Sequence, residues 1–154
     1  IYDSYSNVSD SQLEDLTITD MGSGMSFTNS KLKNISYTSG QSLEDIEEEA
    51  QYLHSEDPYY SNGAYLFVSL DNVELIGDNT FMASILDIDV NLAATSEATT
   101  SIELESRTES IELGDSLKAL ETTKVNGVVK ISHTAKDAKG KLIIKNNQGT
   151  ISLK

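Results

Sequence analysis

Seven to nine short runs of alternating apolar and polar residues, parted by glycine- and asparagine-bearing turns, predict an all-β chain. The expected architecture is an immunoglobulin-like two-sheet sandwich. A switch to helical spacing over residues 42–54 adds one short inserted helix.

The strands follow in order. Leu16 and Ile18 alternate with Thr17 and Thr19, and Met25 to Phe27 follow a turn at Gly22, Ser23 and Gly24. Residues 32–37 are another candidate. Residues 64–70, AYLFVSL, are apolar in both phases, which predicts a central strand. Residues 81–92 end in LDIDVNL, with Leu86, Ile88, Val90 and Leu92 on one side and Asp87, Asp89 and Asn91 on the other. Residues 100–107 repeat the pattern through Ile102 and Leu104 against Glu103 and Glu105. Residues 128–133, 142–145 and 150–153 close the chain. Asn62 with Gly63 and Asn126 with Gly127 each precede a strand, and Asn147, Gln148 and Gly149 predict a tight hairpin between the last two.

In the helical segment Ser42 and Asp45 form a capping-box-like start, and Leu43, Ile46, Ala50 and Leu53 share one side. Pro58 lies beyond its end. Residues 1–12 are polar, serine-rich and without periodicity, and read as a flexible N-terminal tether. Residues 13–154 read as a single domain without internal repeats. The chain starts without methionine and shows no signal peptide, as a processed or trimmed chain would.

Composition narrows the chemistry. The 154 residues suffice for one core, but only 38% are hydrophobic, while serine and threonine number 21 and 13. Cysteine is absent, which excludes disulfides, thiolate metal sites and cysteine nucleophiles. No apolar run approaches the ~20 residues of a membrane-spanning helix. The net charge of −14 disfavours nucleic acid and anionic membrane surfaces. The charge is divided: residues 1–112 hold 22 acidic and 3 basic residues, residues 113–154 hold 3 and 8. Basic C-terminal strands lying beside acidic ones would account for this, a basic face for an anionic partner being the alternative.

The stretch from Gly114 to Lys154 has a glycine-opened loop, an N-G-V-V-K-I strand, a K-D-A-K-G turn and a closing K-L-I-I-K and I-S-L. It resembles the end of the Ig-like domains of unknown function found in Gram-positive extracellular lipoproteins. Residues 62–70, NGAYLFVSL, are similar to that family's central strand, although Ile131 replaces its usual aromatic residue. The resemblance implies an extracellular or cell-surface location, with a lipid anchor or tether upstream. It carries over no activity and no site.

No catalytic, cofactor or metal site is expected. His54 with Glu56 and Asp57 reads as a solvated helix end, because adjacent residues on an extended chain diverge. Asp87 and Asp89 share a strand side but lack a calcium loop. His133 has no second histidine near it in sequence, and no serine sits in G-x-S-x-G. The candidate partner contact is the loop carrying Glu56, Asp57, Tyr59 and Tyr60, since tyrosines give large contact area at low entropy cost. The expectation is a non-enzymatic extracellular or cell-envelope interaction module with a protein or glycan partner. The alternatives are a structural subunit of a surface appendage or phage particle, and a hydrolase whose site is assembled only by the fold.

Overall fold

The computed structural model describes residues 5–19, 24–38, 65–107, 111–114, 117, 122–125 and 127–154. The strands are β1 (Tyr5–Ser9), β2 (Gln12–Glu14), β3 (Thr17–Thr19), β4 (Gly24–Thr28), β5 (Lys31–Lys33), β6 (Ser36–Thr38) and β7 (Tyr65–Met82). They continue with β8 (Ile85–Leu92), a short helix α1 (Ala94–Glu97), β9 (Thr100–Ser106), β10 (Ile111–Leu113), β11 (Thr122–Val125), β12 (Val128–His133), β13 (Gly140–Asn146) and β14 (Ile151–Leu153).

The first three strands lie parallel on the next three at a constant offset of 19 residues: Tyr5 faces Gly24, Leu13 faces Leu32 and Ile18 faces Tyr37. The strands β4, β5 and β6 then lie in parallel on successive parts of β7. The chain thus winds as stacked coils with three faces, a parallel β-solenoid. Each coil must bend twice, and the bends explain the residues there. Asp10, Asn29 and Asn72 occupy the first corner at φ 51, 50 and 54. Asp15, Asn34 and Gly77 occupy the second at φ 54, 53 and 66. This left-handed backbone is costly for most residues but tolerated by Asn, Asp and Gly.

The corner side chains bond along the stack. Asn72 Nδ2 donates to Asn29 Oδ1 at 2.8 Å, and Asn34 Nδ2 donates to Asp15 Oδ1 at 3.0 Å. Asn34 Oδ1 accepts the Asp78 N–H at 3.0 Å, and a Cβ on Gly77 would overlap that oxygen.

Inward residues form ladders. On the third face Ile18, Tyr37, Phe81, Ile144, Leu104 and Ile131 stand in successive register positions. On the first face Val8, Phe27, Leu70, Val90, Leu153 and Leu113 do the same. The members between the terminal coils are buried, and the Tyr37 and Phe81 rings stack with centroids 6.1 Å apart.

The third coil holds one residue more than the second: its offset is 43 at Ile76 and 44 at Thr80. The excess is taken up around Asn79, whose side chain is fully buried. Its Oδ1 accepts the Ile35 N–H at 3.1 Å and its Nδ2 donates to the Ile76 carbonyl at 3.1 Å. Asn79→Leu strands those two backbone groups, so chemical denaturation should show a loss of about 3 kcal/mol. A loss under about 1 kcal/mol would mean that the backbone finds other partners.

The C-terminal segment does not extend the stack; it enters it. Residues 140–153 run parallel to residues 77–90 at an offset of 63, through β7 and β8. Their other edge runs parallel to residues 100–113 at an offset of 40, through β9 and β10. After β8 the chain detours through α1 and resumes one layer further on. The segment β13–β14 fills the layer left between. Ser96 of α1 accepts the Leu75 N–H at 3.2 Å, which ties the detour to the second face.

The all-β class is therefore observed, and the pairing of the described strands does not confirm the expected immunoglobulin-like two-sheet sandwich. Eleven of their thirteen pairings are parallel; only β11 with β12 and β12 with β9 are antiparallel. Alternation reports a half-buried strand whatever the direction of its neighbour. The expected closing hairpin is instead a corner: β13 and β14 pair with different strands, and the Asn147 and Gln148 N–H groups donate to the Ser84 carbonyl of the adjacent layer. The span expected as a tether holds β1 and the start of β2. A 19-residue repeat is present where none was expected. The helix expected over 42–54 lies outside the described residues, and the described helix is α1.

Candidate binding face

Residues in the opposite phase of the first-face strands also stand in rows. One row runs Asn7, Ser26, Ser69, Asp89, Ser152 and Glu112; a second runs Gly24, Phe67 and Asp87. Neighbours in a row sit on strands about 4.8 Å apart, so the fold makes a flat, closely spaced array from residues distant in sequence. Ser26 Oγ donates to Asn7 Oδ1 within the first row.

Where β7, β8, β14 and β10 meet, the array sinks into a shallow groove of about 440 Å³ lined by Phe67, Asp87, Asp89, Glu112, Ser152 and Lys154, among others. Among the described residues Phe67 is one of the few large apolar side chains left exposed, at 37%. Asp87 Oδ1 accepts the Thr150 N–H at 2.6 Å and so anchors the corner before β14. Asp89 Oδ2 lies 3.4 Å from Lys154 Nζ, whereas its Oδ1 is buried without a hydrogen-bond partner among the described residues. The rest of the Asp89 side chain is half-exposed and faces the groove.

A second groove of about 410 Å³ follows the first corner past Asp10, Asn29, Lys31, Asn72 and Glu74. Its asparagines bond to each other and Lys31 pairs with Glu74 at 4.0 Å. It offers no aromatic surface. The Phe67 groove is the better candidate.

The third face is charged rather than hollow. Lys141 of β13 pairs with Glu103 of β9 at 2.6 Å, and Lys145 with Glu105 at 3.8 Å. The basic C-terminal strand thus lies beside an acidic one, as the uneven charge suggested. The Lys141 hydrogen bond holds the Glu103 carboxyl below the usual glutamate range. A carboxylate lowered in this way stabilises the fold above its unfolded pKa, and the contribution fades as pH falls through the folded value. Wild type should therefore lose melting temperature below pH about 4 more steeply than Glu103→Gln. The difference should shrink in high salt, since the pair is half-exposed.

Other residues singled out from sequence are placed as follows. His133 ends β12 opposite Ile102 and is half-buried. Among the described residues no three of His, Cys, Asp and Glu are grouped to hold a metal ion. Asp87 and Asp89 lie on the outward side of β8 as read, and they line the groove. Glu56, Asp57, Tyr59, Tyr60 and His54 lie outside the described residues. Sequence reasoning missed Phe67 as a site residue. Its signal was present: in the chain it shares phase with Ser69 and Asp71, the polar side of its strand. Among the described residues no helix is long and apolar enough to cross a membrane.

Comparison with protein-family models, curated proteins and solved structures finds no match to this chain.

Proposed function

We propose that this chain is a non-enzymatic binding module of an extracellular or cell-envelope protein, and that it seats its partner on the outer side of the first face. The observation that carries this reading is the groove in which Phe67, 37% exposed, stands among the half-exposed carboxylate of Asp89 and the side chains of Glu112, Ser152 and Lys154. The strands beneath are locked by stacked ladders, so the groove is preorganised and little order is lost on binding. The loop with Tyr59, Tyr60, Glu56 and Asp57 is proposed as a further contact. The location, with a lipid anchor or tether upstream, rests on the resemblance of residues 62–154 to Gram-positive lipoprotein domains.

The test is saturable binding of fluorescently labelled protein to a panel of intact bacterial and animal cells. Binding that Phe67→Ala abolishes while the fold is retained supports the reading. Binding indifferent to Phe67→Ala, or none to any cell type, refutes it.

One observation favours a structural subunit as a second reading. Among the described residues β1, β2 and β3 are paired on one side only. Leu16 is 43% exposed, whereas Ile35, its equivalent in the next coil, is 1% exposed. A strand edge of this kind can be covered by another subunit. Concentration-dependent assembly, read by light scattering and electron microscopy, would support this reading, and a monomer at all concentrations would end it.

A further inference from the structure

We infer that the ligand of the first-face groove is a neutral or amine-bearing polysaccharide, an inference that rests on the binding-module reading and narrows its partner to one chemical class. A pyranose ring presents an apolar C–H surface and a rim of hydroxyls, and it needs a surface that answers both. The groove supplies each part. Phe67, 37% exposed, gives apolar surface for the C–H side of the sugar. Around it stand acceptors and donors suited to hydroxyls: the carboxylates of Asp89 and Glu112, the hydroxyl of Ser152 and the ammonium of Lys154.

The Asp89 carboxylate is the sharpest of these, half-exposed at the groove beside Lys154. A sugar hydroxyl or ammonium donating to it forms a charge-assisted hydrogen bond. Charge selects within the class. Asp87, Asp89 and Glu112 outnumber Lys154 at the groove, so a polyuronate meets net repulsion while neutral chains do not and amino sugars are attracted. Shape fits as well. The groove is open and crosses strands β7, β8, β14 and β10, which accommodates a polymer passing over the surface rather than a small molecule enclosed within it.

The experiment is isothermal titration of the intact chain with laminarin, xylan, chitosan oligosaccharide and polygalacturonate. Saturable binding is expected for at least one of the first three and not for polygalacturonate. Phe67→Ala should weaken it at least about tenfold, Asp89→Asn should weaken it too, and Phe67→Trp should retain it. Each variant is compared only if its unfolding midpoint matches wild type. Preference for polygalacturonate, binding unchanged in Phe67→Ala and Asp89→Asn, or no binding to any of the four overturns the inference. In the last case, cell-surface binding that still depends on Phe67 shows that the ligand class is wrong and the binding face right. Cell binding indifferent to Phe67 shows that both are wrong.

Discussion

Deleting residues 140–154 should abolish cooperative unfolding rather than merely lower its midpoint. The segment is last in the chain but internal in the fold, held along both edges by strands that come earlier in sequence. Its Leu142, Ile144, Ile151 and Leu153 are 0–2% exposed. Without them β7 and β9 on the third face, and β8 and β10 on the first, lose their common neighbour and face an empty layer. No shift of one residue can close that gap, because each remaining strand keeps its own connection. The point version is Ile144→Asp, which puts a carboxylate at the middle of the third-face ladder between Phe81 and Leu104. The expected cost is at least about 4 kcal/mol, enough to unfold a domain of ordinary stability. Circular dichroism and denaturant titration check both variants. A truncated chain with a sharp transition and wild-type strand content would mean that the remaining residues form a complete core without this segment.

The same segment shows which features of the fold are legible in the sequence. Strands β8, β9, β12 and β13 were legible because one phase of each is apolar, as in Leu86, Ile88 and Val90 or Leu142 and Ile144. Direction was not legible. Alternation is a property of one strand against a core, and it is the same for parallel and antiparallel partners. Glycine and asparagine turns then tipped the reading toward hairpins. At Val125 and Val128 a hairpin is there, with β11 antiparallel to β12. At residues 147–149 the same turn chemistry makes a corner between layers.

The repeat was hidden for a related reason. Successive coils share conformation rather than side chains: Asp10 above Asn29, Asp15 above Asn34, Leu13 above Leu32. The equivalence lies in which residues tolerate a left-handed backbone, and Asp, Asn and Gly are interchangeable there. Two coils at an offset of 19 are then followed by offsets of 43 and 44, so no period persists long enough to stand out. The groove was hidden more deeply. Phe67, Asp89, Ser152 and Glu112 come from four strands, and their order in the sheet differs from their order in the chain. Only the outward phase of Phe67 hinted that an aromatic residue stood among polar neighbours.

Gly149→Ala should rank with the most damaging single-methyl changes in the chain, at a cost of about 3 kcal/mol or more. Two effects combine. Gly149 sits at φ +115, a backbone region that residues with a side chain rarely adopt. A Cβ there would also overlap the carbonyl oxygen of Leu86 in the adjacent layer. That neighbour cannot yield cheaply. The Leu86 carbonyl accepts from Asn146 Nδ2 at 3.0 Å, the Leu86 N–H donates to the Gln148 carbonyl at 3.0 Å, and Asp87 holds the Thr150 N–H. Moving the corner outward would break this set and withdraw β14 from β8. Gly127→Ala separates the two effects, since Gly127 also has positive φ, at +78, but open space where its Cβ would stand. It should cost about 1 kcal/mol, the conformational part alone. Denaturant titration of both variants decides the matter. A large gap between them shows that close packing of two layers fixes Gly149, and equal losses would show that backbone conformation alone does.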